Sequence, residues 1–178
     1  MRRLIVLLAA LAMVLAACGD DDGSGGLSTE EQAVAAAIAA DASAGSEAGD
    51  PFSDPEAAQC MAEGVVKDIG MERLAEIGVT AESADQEQAF ANMTDTEIDV
   101  VISYTLDCVD IEAVMAEQME AQGLDAETAQ CFADEFDEDF YRVAFRTTLT
   151  GGEFDPTADP AVADSFMAAF TKCLGGEG

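Results

Sequence analysis

The stretch "DEFDED" carries Asp134, Glu135, Asp137, Glu138 and Asp139. Carboxylates packed that closely suit two kinds of chemistry. They can hold a divalent cation, or two of them can share a proton so that one serves as a general acid. Calcium needs about six to eight oxygens wrapped by a turning backbone, and this stretch reads as helix. On a helix Asp134, Asp137 and Glu138 fall at i, i+3 and i+4 and repel one another. The other face carries Phe132, Phe136 and Phe140. We therefore read the cluster as a solvated helix surface, with a weak cation site or a docking patch as the alternative. Asp107, Asp110 and Glu112 gather around Cys108 and are weighed in the same way. Neither cluster leads us to expect a metal or a cofactor.

Other chemistry lacks its parts. The chain has no histidine and no tryptophan. That removes the commonest general base, the commonest zinc ligand and every Ser-His or Cys-His nucleophile. There is no G-x-S-x-G, no P-loop and no dinucleotide-binding glycine pattern. No catalytic residue is assigned, and the chain reads as a non-enzyme.

The start of the chain is more specific. "MRRLIVLLAALAMVLAAC" has a basic head, Arg2 and Arg3, then an unbroken apolar run from Leu4 to Val14. That run is too short to span a hydrocarbon core, which needs ~20 residues. A basic head, a short apolar run and small residues after it read as a secretory signal. Leu15-Ala16-Ala17-Cys18 resembles the lipobox of bacterial lipoproteins. The resemblance implies cleavage between Ala17 and Cys18 and a diacylglyceryl group on Cys18. It also implies a protein anchored by lipid to the cell membrane, facing outside the cytoplasm. Gly19 to Gly26, "GDDDGSGG", has no apolar residue and reads as a flexible acidic tether. Its r.m.s. reach is roughly 15 Å.

Removing residues 1–17 from a chain of 178 leaves 161, enough for one modest domain. The formal net charge of −30 becomes −32 once Arg2 and Arg3 are gone. Such a field repels nucleic acid, so none is expected as a partner. The partners to expect are the membrane, through the lipid on Cys18, and a protein or envelope component.

With Cys18 lipidated, Cys60, Cys108, Cys131 and Cys173 remain, and outside the cytoplasm they should pair. An internal repeat chooses among the three connectivities. "AQCMAEGVVKDIG" (58–70) matches "AQCFADEFDEDFY" (129–141) at a shift of 71. Val65 then meets Phe136 and Ile69 meets Phe140, as one helical face. "DTEIDVVISYTLDCV" (95–109) matches "PAVADSFMAAFTKCL" (160–174) at a shift of 65, with Asp99 over Asp164. Each copy has one cysteine early in its first helix and one at the end of its last. The economical pairing is Cys60–Cys108 and Cys131–Cys173.

The elements that position these residues read as helices. Capping boxes are legible at Ser28–Glu31, Ser53–Glu56 and Thr94–Glu97. Asp125 and Asp159 can cap the helices that follow. Helices are expected at about 29–43, 54–69, 71–77, 84–92, 95–108, 110–122, 126–148 and 160–174. Helix 29–43 is weakly amphipathic, and small-residue packing, capping of the domain and fraying all stay open for it. No long β-branched alternation is present. The fold class is all-α, a bundle of two similar disulfide-stapled units sharing one core. The organisation is signal peptide 1–17, lipidated cysteine and tether 18–26, and helical domain 27–178. Within the domain, units at about 53–109 and 125–174 are joined by a helix at about 110–122. Ile111, Val114, Met115 and Met119 on that joining helix should meet Phe132, Phe136 and Phe140 on one side and Val101 and Ile102 on the other.

Two functions follow from different classes. The first is a non-enzymatic, lipid-anchored interaction module of the cell envelope. The second is a carrier or sensor of a small apolar ligand, using a cleft between the two units lined by Phe and Met. The six methionines downstream of Cys18, Met61, Met71, Met93, Met115, Met119 and Met167, read mainly as core filler.

Overall fold

A computed structural model describes residues 26–44, 46, 50–83 and 86–175. Among them the chain forms helices α1 (Thr29–Ser43), α2 (Pro55–Ile69), α3 (Met71–Glu76), α4 (Gln86–Asn92), α5 (Asp95–Cys108), α6 (Ile111–Ala121), α7 (Ala126–Glu135), α8 (Glu138–Leu149) and α9 (Pro160–Leu174). No strand occurs among the described residues; Thr80 and Ser83 form an isolated bridge. The fold is all-α.

The caps explain most boundaries. Ser28 accepts from the Glu31 N–H, and Glu31 accepts from the Ser28 N–H at 2.7 Å. Thr94 and Glu97 close the same box at α5. At α2 the cap lies one residue later than the expected Ser53. Asp54 accepts from the Glu56 N–H at 2.9 Å, because Pro55 supplies a helix-ready φ at the first turn and has no N–H of its own. The two shifts also carry helix starts onto one another. A shift of 71 carries Asp54, the cap of α2, onto Asp125, the cap of α7. A shift of 65 carries Asp95, which opens α5, onto Pro160, which opens α9.

The expected continuous helix 126–148 is broken. Phe136 is extended, with ψ 128°, and Asp137 starts a new helix by accepting from the Phe140 N–H at 2.9 Å. The break turns Phe136 inward, where it stacks on Phe140 with ring centroids 4.0 Å apart. Phe136 and Phe140 therefore do not share one helical face as Val65 and Ile69 do. Asp134 and Asp137 sit on different elements as well.

Two disulfides, Cys60–Cys108 and Cys131–Cys173, staple α2 to α5 and α7 to α9. Buried side chains gather in two main clusters. The first joins α1 to α5 around Val34, Met61, Val65, Leu74 and Val101. The second is aromatic, with Phe132, Phe136, Phe140 and Tyr141. Phe52 packs against both, and Ala57 of α2 belongs to the second. α1 packs firmly through small residues: Ala35 on α1 and Ala58 and Ala62 on α2 are fully buried. The expected stripe of α6 joins only the second cluster and the small group around Ala129, and Val101 lies in the first. The two sets of helices meet instead through α5 and α8.

Candidate functional site

Cations are scarce, and four of the five in the described chain sit at joints between helices or on α8. Arg73 of α3 reaches Glu97 of α5 with Nε at 2.6 Å and Nη2 at 3.1 Å, and also donates to the Asn92 carbonyl at 2.9 Å. Lys172 of α9 pairs with Glu135 of α7. Arg142 and Arg146 stand one turn apart on α8. Arg142 donates to Ser103 Oγ on α5 at 3.2 Å and pairs with Glu138 at 2.6 Å. Arg146 pairs with Asp99 of α5. These contacts hold α8 against α5 and so set the seam between the two disulfide-closed sets.

Beside that seam lies an apolar cavity of about 220 Å³. Its inner wall is Ile38 of α1, Met61 and Val65 of α2, Leu74 of α3 and Val101 of α5. Phe52, Phe90 and Met93 form its outer wall, and α8 contributes Phe145, Thr148 and Leu149 at i, i+3 and i+4. The polar groups on the wall are already engaged. Asp50 accepts from the Phe52 N–H at 2.9 Å. Thr105 donates to the Val101 carbonyl at 2.9 Å, and Thr148 to the Ala144 carbonyl at 3.0 Å. The cavity runs from buried Ile38 to Thr148, which is exposed. A cavity of this kind repels water and takes apolar matter; one of roughly 150 Å³ holds benzene.

A second groove, of about 340 Å³, brings together acids that the sequence places in separate clusters. Asp107, Asp110 and Glu112 face Asp137 and Glu138 across Tyr141. Most have structural work. Asp110 caps α6 by accepting from the Ala113 N–H at 3.0 Å, Asp137 caps α8, and Glu138 holds Arg142. Burial, with help from Glu112 and Asp134, pushes the Tyr141 phenol up to about 12. Its hydroxyl donates to the Ala133 carbonyl at 3.3 Å. A phenol in that state stays protonated and serves poorly as a base. Among the described residues no group of three or more His, Cys, Asp or Glu is placed to hold a metal ion.

The remaining sequence-derived candidates fall as follows. Asp134 accepts from Gln130 at 2.7 Å, and Asp139 is exposed on the first turn of α8. Asp99 holds Arg146, whereas its repeat partner Asp164 is exposed on α9 and makes no ion pair among the described residues. Met61 and Met93 line the cavity, while Met167 is 59% exposed. Ala17 and Cys18 lie outside the described residues. Phe52, Phe90 and Thr148 were not singled out from sequence. Phe52 lies in a turn-rich segment and Phe90 in a short helix, so neither shows periodicity. The one available signal was Phe145 and Leu149, which continue the stripe that starts at Tyr141. No helix among the described residues is long and apolar enough to cross a membrane. No family model, curated protein or solved structure matches the chain.

Proposed function

We propose that the chain is a lipid-anchored protein of the cell envelope that binds a small apolar ligand without chemical change. The observation that carries the binding reading is the apolar cavity of about 220 Å³ beside the seam of α5 and α8. Apolar concave sites with few polar groups are the usual form of small-ligand sites. The lipobox at Leu15 to Cys18 supports the anchor: Cys18→Ala should give a chain that carries no acyl label. The cavity is tested with naphthalene, an uncharged apolar probe. It should raise the unfolding temperature of the wild-type chain and not that of Ala89→Phe, in which a ring fills the space beside Phe90. No shift for the wild type at saturating naphthalene would remove this reading.

One observation favours a second reading, a protein-interaction module. Met167, Phe170 and Leu174 on α9 are 59%, 46% and 48% exposed and stand at i, i+3 and i+7. Crosslinking in cells from position 167 should then trap a protein partner, and Phe170→Asp in the same chain should abolish the product.

A further inference from the structure

We infer that the ligand is an amphiphile, with an apolar part of about eight carbons in the cavity and a hydrogen-bond-donating head, amine or hydroxyl, outside it. This rests on the ligand-binding reading of the cavity and adds the chemistry of the head. The cavity abuts an outer groove, and Phe90, Met93, Thr148 and Leu149 line both; we read these four residues as a neck between the two. The groove is lined further out by Asp95, Thr150 and Gly151. An amphiphile crossing that neck would leave its apolar part on Met61 and Val65 and its head beside Asp95.

The side-chain polar atoms that meet the head are acceptors, the Asp95 carboxylate among them. Thr148 and Thr150 direct their hydroxyl protons to the Ala144 and Arg146 carbonyls, at 3.0 and 2.8 Å, so only lone pairs face outward. The backbone N–H groups at the end of α8 are engaged as well: Thr150 donates to Arg146, Gly151 to Thr148 and Gly152 to Thr147. They close the C-terminus of α8, the negative end of its dipole. Asp95 is 94% exposed. Arg146 comes within 3.9 Å of Asp95 but pairs more closely with Asp99, so this trio carries one net negative charge. A carboxylate or phosphate head would meet acceptors and like charge; an amine or alcohol would meet acceptors it can satisfy. The length estimate follows from the volume: roughly 150 Å³ accommodates the six carbons of benzene, and this cavity has about 220 Å³.

The test uses the full lipidated chain in nanodiscs, with empty nanodiscs as reference. Octylamine, octanol and octanoate present one apolar chain with three heads and are titrated calorimetrically. Octylamine and octanol should bind, and octanoate should bind at least about fivefold more weakly. Asp95→Lys, at an exposed position that leaves the core intact, should erase or reverse that preference. Thr148→Trp, which plugs the neck from an exposed site, should weaken all three. Equal binding of the three heads, unchanged by Asp95→Lys, overturns the head assignment and leaves the cavity reading standing. Binding of none of them, with naphthalene also inactive, overturns both.

Discussion

The ring of Tyr104 on α5 lies flat against the backbone of α2 at Gly64. A Cβ added at Gly64 would fall 2.2 Å from Tyr104 Cδ1 and 2.5 Å from Cγ. Cγ is the stem of the ring, so no flexible tip can swing away. Tyr104 is fixed at its other end too, with its hydroxyl donating to Asp68 at 2.9 Å. Asp68 also pushes the phenol pKa upward. Gly64→Ala gains about 1 kcal/mol of helix propensity, but overpacking of this kind costs about 1–3 kcal/mol. We expect a net loss of up to about 2 kcal/mol in denaturant unfolding. In a Tyr104→Ala background the same change should become neutral or stabilising. A loss of equal size in both backgrounds would show that the ring is not the obstacle.

Acid should weaken one joint selectively. Glu97 accepts two bonds from Arg73 and one from the Thr94 N–H. The Arg73 guanidinium, with the Thr94 amide, holds the Glu97 carboxyl at about 2, below its ordinary 4.5. A depressed carboxyl contributes stability above its unfolded pKa and loses it as pH falls toward the folded one. The gap between wild type and Glu97→Gln should thus be full above about pH 5 and close between about pH 4.5 and 2. Unfolding midpoints of both chains across that range measure it. A gap that stays constant through the window would show that the pair contributes packing rather than charge.

Much of this fold is legible in the sequence, and what is not legible has definite physical causes. Both disulfides follow from the repeat, because the 71- and 65-residue shifts preserve helix starts as well as cysteines. The shifts also carry Gly64 to Glu135 and Tyr104 to Ala169, which is fully buried. The close approach of Tyr104 to Gly64 is therefore particular to the first copy, and no periodicity reveals it. The break at Phe136 was invisible because it uses no Gly or Pro. It depends on Asp137 as a cap and on the burial of Phe136 against Phe140, a tertiary gain that local patterning does not contain. The sequence leads us to expect a cleft between the two units lined by Phe and Met; it does not name the walls of this cavity. Its walls come from α1, α2, α3, α5 and α8, whose joint arrangement no single stretch encodes.

Asp137 gives a direct test of that break. Its carboxylate is the side-chain cap of α8. Asp137→Ala should cost about 1 kcal/mol, the usual value of a lost N-cap. Asp139→Ala, on the same turn and exposed, should change stability by less than about 0.5 kcal/mol. If the two substitutions cost the same, the acids act as a diffuse charge patch and not as individual caps.

The disulfides should contribute almost equally. They join residues 48 and 42 apart, and loop entropy varies only with the logarithm of that length. Each is expected to add about 4 kcal/mol in the chain-entropy model. Replacing either pair by serine should lower the denaturant midpoint by a similar amount. A much larger loss for Cys131–Cys173 would point to its aromatic set having little core of its own.

Phe52 should report whether the two clusters unfold together. It is the large side chain placed against both: it packs on the first cluster, on the second, and on the cavity between α5 and α8. Met115, by contrast, lies against the second cluster and the group around Ala129. Each disulfide-closed set is about 50 residues, a size that buries a modest fraction of its surface and is marginal alone. The oxidised chain is therefore expected to unfold in one transition. Phe52→Ala should lower it by about 2 kcal/mol, below the ~3–5 kcal/mol of a fully buried ring because Phe52 is only half-buried. Met115→Asp should lower the same transition, although it touches only one side, because a cooperative unit transmits the loss. Hydrogen exchange locates the effect: α2 and α8 should lose protection together in both variants. Separate transitions, with Met115→Asp felt in α8 and not in α2, would mean that each cluster folds for itself and that the contacts of Arg142 and Arg146 merely dock two finished halves.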